Sequence, residues 1–365
     1  MLASDLHVHL DGSLRPDTLL ELGARAGLWS AETGPERIRQ LRFREGMSLS
    51  SCLARFETTV GLLQTVSALR RVSRELVRDC YLDGVRHAEI RLCPPLHTRR
   101  GLAVEAVVEA ALAGAEEGVA SCGSGTEGET LSAHLILSIL EGMGEDEARA
   151  IVDLAVRFHD EGVVGVDLAG DESLFDPGPF RRPFAAARDR GLGITVHAGE
   201  GHDASHIAAA VATLGAGRIG HGTSAASDGR VLDLLASSGV TVEACLTSNT
   251  QTGAIAHVEE HPLPRMLDAG VRVALATDNR FFSSTTLSRE YDLAADRLSV
   301  GRDGIERIVI ESAAAAFLPD EDRLRLTELY RTSLGGRAAD GGSARDGPAD
   351  ESDRGQNSEC TGGEA

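Results

Sequence analysis

Short apolar runs recur along the chain, separated by stretches whose apolar residues return every three or four positions. The first run begins at about residue 4, covers Asp5-Leu6-His7-Val8-His9-Leu10, and turns out at Gly12. Later runs are Gly84–Leu92, Leu131–Leu140, Val163–Gly170, Gly193–His197, Arg218–His221, Val240–Cys245 and Val271–Asp278. Their length and composition predict strands; the intervening spacing predicts helices. Those helices start near Pro16 and cover 66–82, 103–117, 145–160, 180–189, a stretch to about 214, 228–237 and 263–269. A helical segment at 305–331 is broken at Phe317-Leu318-Pro319.

Eight strands alternating with helices predict an α/β fold, a (β/α)8 TIM-type barrel. Largely apolar strands suit a parallel sheet covered on both faces. A doubly wound open sheet is the weaker alternative, because no GxGxxG follows the first strand. Residues 30–65 read as an insertion whose amphipathic stretch 47–56 either covers a pocket or packs as core, and 121–130 read as a Gly/Ser/Thr-rich loop. The barrel is expected over 1–333. Residues 334–365 are acidic and Gly-rich, with almost no large apolar residue, and are expected to be disordered.

Composition narrows the chemistry. The formal net charge is −20, which argues against nucleic-acid backbones and anionic membranes as partners. Every basic side chain counted as Lys or Arg is Arg. That excludes Schiff-base lysines, Walker-type phosphate lysines and a lysine carbamate bridging two metals. Six cysteines lack CxxC pairing and read as reduced intracellular thiols. No apolar run is long enough to span a bilayer, and no signal peptide is apparent, so a cytoplasmic location is expected.

The polar residues with chemical potential gather at strand C-termini, the barrel face where active sites are built. His7 and His9 are two apart, so both imidazoles point to one side of the first strand. Gly170 ends the fourth strand; His197 ends the fifth, with Glu200 three residues on. His221 ends the sixth, and Asp278 and Asn279 follow the eighth. Three histidines and an aspartate can hold one divalent metal and leave a place for water, which the metal acidifies to a pKa of about 7. Glu200 is then free for acid–base work. His202 and His206 read as an exposed helix face, and His257 and His261 as loop residues without chemistry. His87, His97, His134 and His159 read as structural or exposed.

In these positions the chain resembles the adenosine deaminases of the amidohydrolase superfamily. The matching stretches are His7-Val8-His9-Leu10-Asp11-Gly12-Ser13, Val166-Asp167-Leu168-Ala169-Gly170-Asp171-Glu172, Val196-His197-Ala198-Gly199-Glu200, Ile219-Gly220-His221-Gly222 and Thr277-Asp278-Asn279. Cys245-Leu246-Thr247-Ser248-Asn249 and the Ala316–Pro319 region match more weakly. The resemblance implies that His7, His9, His197 and Asp278 hold one metal, usually Zn2+. It implies Glu200 as the acid that protonates purine N1 while metal-bound hydroxide attacks C6, with His221 orienting that hydroxide. Gly170 would meet purine N3 through its backbone and Asp11 a sugar hydroxyl, and His9 would also border the substrate. The alternatives are that Asp11 caps the next helix and that Gly170 merely ends its strand.

The implied reaction is hydrolytic deamination of adenosine, and of 2'-deoxyadenosine, to inosine and ammonia. Adenine, an N6-substituted adenosine or aminodeoxyfutalosine is the alternative substrate. The partner is a small purine nucleoside; oligomeric state is left open. Asn279 departs from the pattern of better-known members, which carry a second Asp facing purine N7. A catalytically dead relative is disfavoured by the intact polar set. The cytidine-deaminase type is excluded because its P-C-x-x-C signature is absent.

Overall fold

The computed structural model describes residues 2–123 and 131–340. Strands β1 Ala3–His9, β2 Val85–Leu92, β3 Ser132–Leu140, β4 Val163–Ala169, β5 Gly193–Ala198, β6 Arg218–His221, β7 Thr241–Ala244 and β8 Arg272–Leu275 pair in sequence order. Every pairing is parallel, as the (β/α)8 expectation requires. The seam closes at Asp278. Its N–H donates to the His7 carbonyl at 2.8 Å, and its carbonyl accepts from the His9 N–H at 2.8 Å. One residue thus closes the barrel with its backbone and offers a carboxylate at its mouth.

The strands alternate more strictly than their apolar content suggested. Leu6, Val8, Ile90, Val166, Val196 and Val242 belong to the apolar core. The residues between them are polar and buried, and they pair inside the barrel, both across it and between the adjacent strands β6 and β7. Arg91 on β2 meets Asp167 on β4 at 3.3 Å and Glu243 on β7; Arg218 on β6 meets Glu243 and Glu89 on β2. Buried charge is tolerated only when paired, so these residues form one connected interior.

Outside the barrel the expected helices are present, including Val66–Leu82, Val104–Ser121 and Glu145–Arg157. The amphipathic stretch 47–56 lies within helix Leu49–Leu62, started by Ser48 accepting from the Ser51 N–H. It does cover the barrel mouth: Phe56 stands edge-on to His9 with ring centroids 6.3 Å apart. Helix Leu287–Asp296 was not anticipated. Its buried stripe Leu287, Glu290, Tyr291, Ala294 has helical spacing, but the glutamate disguises it as polar. The C-terminal segment divides into Arg302–Ala314 and Asp320–Asp340 around the expected break. The second helix continues past residue 333, where the barrel was expected to end. Residues 124–130 of the expected loop and 341–365 of the expected tail lie outside the described residues.

Candidate metal centre and active site

His7 and His9 leave β1 on the side of the barrel axis, where His197 from β5, His221 from β6 and Asp278 beyond β8 meet them. His7 Nδ1 lies 3.0 Å from Glu243 Oε2, and His197 Nδ1 lies 3.0 Å from Asp167 Oδ1. An ionised carboxylate only accepts, so each Nδ1 carries the proton and each Nε2 presents a lone pair. Burial opposes ionisation of Asp167 and Glu243, but the neighbouring cations outweigh it and hold both below the usual carboxylate range.

The lone pairs face one another. His9 Nε2 lies 3.2 Å from His7 Nε2 and 3.3 Å from His197 Nε2. Asp278 Oδ1 lies 3.3 Å from His9 Nε2 and 3.5 Å from His7 Nε2. Burial pulls the His9 pKa down to about 3, so it is neutral. Burial also opposes ionisation of Asp278, yet its surroundings, His7 first and then His9 and His221, hold its pKa well below the ordinary value. One proton on His9 can satisfy only one of these contacts. A divalent cation at their centre satisfies all, and three nitrogens with one oxygen are a donor set suited to such an ion. Ser248 Oγ donates to the other carboxylate oxygen, Asp278 Oδ2, at 2.5 Å.

His221 and Asp278 have φ of 64° and 57°. Left-handed backbone at such residues costs about 1–3 kcal/mol each and persists where the surroundings impose it. Here the barrel seam holds Asp278. His221 Nε2 lies 3.4 Å from Glu200 Oε2.

Glu200 is held on both sides. Its Oε1 accepts from Thr252 Oγ1 at 2.8 Å, and its own N–H donates to Glu172 Oε2 at 3.0 Å. Glu172 also accepts the N–H groups of Gly199 and Gly201 and pairs with His206 Nδ1 at 3.1 Å. Burial first, then the Asp278 charge, pushes the Glu200 pKa up to about 8. A bound cation offsets the second cause and leaves the first.

The remaining expected residues, Gly170, Asp11 and Asn279, follow the C-terminal ends of β4, β1 and β8. Gly170 sits at φ +116°, a left-handed conformation that suits glycine. Asp11 is buried with Oδ1 unpartnered, and burial raises its pKa to about 7. It does not cap the next helix: Arg15 occupies that position, followed by Pro16. Asn279 is buried against Gly12, where a Cβ would lie 1.7 Å from Asn279 Oδ1. Gly12 therefore makes room for the amide, and Asn279 Nδ2 is turned away from it.

Several supporting residues escaped the sequence reading. Asp167 and Glu243 are single acids inside apolar strands, which itself signals a buried partner. His206 is not idle, because it holds Glu172. His261 is 3% exposed and bonded to Asn249, contrary to its reading as a loop residue without chemistry.

The adenosine deaminase family profile matches residues 3–332. The adenosine deaminase of Mycobacteroides abscessus is 35% identical over 337 residues, covering 88% of this chain and 92% of that one. That of Mycolicibacterium gilvum is 37% identical with the same coverage. Among solved structures, an Arabidopsis ADAL complexed with IMP is similar at TM-score 0.82 and 28% identity, covering 92% of this chain and 97% of that one. An adenine deaminase from Arthrobacter aurescens is similar at TM-score 0.80 and 27% identity, covering 91% and 99%. Barrel, polar constellation and near full-length similarity agree: the chain belongs to the adenosine deaminase family of metal-dependent hydrolytic deaminases.

Proposed function

We propose that this protein converts adenosine, and 2'-deoxyadenosine, to inosine and ammonia, with zinc held by His7, His9, His197 and Asp278. The observation that carries the reading is Glu200, a buried carboxyl 3.4 Å from His221 beside that ligand cluster, whose pKa burial raises. When bound, the ion supplies water acidified enough to act as a nucleophile at neutral pH.

The chain's own residues do the rest. Glu200 donates its proton to purine N1, which draws electron density from C6 and opens it to attack. His221 orients the attacking water toward C6. The resulting tetrahedral carbon bears both the added oxygen and the amino group; of the two protons the water brings, one goes to the amino nitrogen and one returns to Glu200, and cleavage of the C6–N bond releases ammonia and leaves the 6-oxo purine protonated at N1. Asn279 Nδ2 bonds N7, and the Gly170 backbone meets N3. Asp11, with an acceptor oxygen unpartnered, takes a sugar hydroxyl, which favours a nucleoside over the free base. Helix Leu49–Leu62 covers the mouth and limits water.

The test is loss of the 6-amino chromophore across a panel of adenosine, 2'-deoxyadenosine, adenine and an N6-methylated adenosine nucleotide. Adenosine should give the highest kcat/KM. A clear preference for adenine would remove the Asp11 assignment; a preference for the nucleotide would redirect it toward a phosphate-binding member.

A further inference from the structure

Three histidines from the ends of β1, β5 and β6 converge here: His7, His197 and His221 have ring nitrogens all within 4.8 Å of one another. The proposed reading makes His7 and His197 ligands and His221 not. What separates them is the partner of Nδ1. In His7 and His197 that partner is a carboxylate, which accepts. In His221 it is the amide of Asn249, Nδ2 at 2.9 Å.

The direction of that bond is set from farther away. The backbone N–H of Leu263 can only donate, and it reaches His261 Nδ1 at 3.1 Å. His261 Nδ1 is therefore the acceptor. Burial holds the His261 imidazole neutral, so its one proton is on Nε2. His261 Nε2 lies 3.3 Å from Asn249 Oδ1. This contact turns Asn249 Oδ1 toward His261 and leaves Nδ2 to donate to His221 Nδ1. An imidazole that accepts at Nδ1 carries its proton on Nε2, and His221 Nε2 faces Glu200 Oε2 at 3.4 Å. Asn249, His261 and His221 are all buried, so water does not compete with the chain.

We propose that Asn249 and His261 are positioning residues that lock His221 in its Nε2–H tautomer, so that it presents a donor toward the reacting oxygen instead of a lone pair toward the metal. The proposal builds on the deaminase reading, but its central claim concerns a proton position that needs no substrate to observe. The same side chain is made a ligand by a carboxylate behind it and a donor by an amide behind it.

The test uses full-length protein labelled with 15N-histidine, metal-free and zinc-loaded, with the His221 resonances identified by their loss in His221→Gln. Two-bond 1H–15N spectra distinguish the tautomers. The parent should show His221 protonated at Nε2 in both states. Asn249→Asp places an acceptor-only group at the same distance and should move the proton to Nδ1 or protonate both nitrogens. His261→Phe frees the Asn249 amide to turn and should give a mixture, whereas His261→Gln keeps a donor to Asn249 Oδ1 and should restore the parent pattern. In Asn249→Asp, kcat should fall about 10²-fold or more with a smaller change in KM. If that variant fails to fold, the His261→Phe and His261→Gln pair decides by the same spectra. An Nδ1–H tautomer in the parent, or Nε2–H unchanged in the variants, overturns the proposal. A parent with Nε2–H that leaves adenosine intact overturns the substrate assignment instead.

Discussion

Glu243 Oε2 accepts the Nδ1 proton of His7 at 3.0 Å while the same carboxylate is paired with two buried arginines, Arg91 and Arg218. The His7 imidazole at the candidate metal centre is thus tied to the charged interior of the barrel. Ligand geometry and fold stability share this residue.

Glu243→Gln should therefore damage both. An amide keeps the volume but leaves the two guanidiniums without their shared counter-charge, and breaking such buried pairs costs about 3–5 kcal/mol. Loss of the support behind His7 should weaken metal affinity about 10–100-fold. Urea unfolding and competition with a chelator measure the two. Unchanged metal affinity in a destabilised variant would mean that His7 is held by packing alone.

Glu200→Gln should preserve fold and metal content and lower kcat by about 10²-fold or more, because glutamine cannot give up a proton to N1. Metal analysis alongside steady-state rates checks this. A variant with normal metal and a near-parental rate would place the acid elsewhere.

Asn279 leads to a substrate test. Purine N7 only accepts, an ionised aspartate cannot donate to it, and an asparagine amide can at any pH. Replacing N7 by C–H in 7-deazaadenosine should cost about 0.5–1.5 kcal/mol, plus the cost of an unpaired buried donor. Asn279→Leu should lower kcat/KM for adenosine and bring the adenosine/7-deazaadenosine ratio toward one. A ratio as large in the variant as in the parent would rule out contact with N7.

Acid stability should depend on Glu89. Burial opposes its ionisation, but the Arg218 charge outweighs burial and lowers its pKa from 4.5 to about 2. A folded-state value below the unfolded one stabilises the protein above the unfolded value, and this contribution is lost as pH falls through the folded one. Glu89→Gln should melt below the parent at neutral pH, and the gap should close as pH falls from about 5 to about 2. Melting curves across that range decide; a constant gap would assign the loss to packing instead.

The period of the apolar pattern, the positions of the strands and the residues at their C-terminal ends were legible without a structure. They depend on local backbone geometry and residue type: two histidines two apart share a face wherever a strand forms. His7, His9, His197, Glu200, His221, Asp278 and Asn279 were singled out in this way. The supporting chemistry was not. Glu243 finds His7 across 236 positions and Arg91 across 152, and no local pattern records such pairings. The spacing that exposed the first strand could not show that Asp278 closes the seam, because closure depends on the accumulated tilt of all eight strands. His261 looked idle in its loop for the same reason: its role depends on a backbone N–H on one side and Asn249 on the other. Residue types at strand ends announce which chemistry is available, whereas the proton's position on each nitrogen is decided by the partner that folding brings behind it.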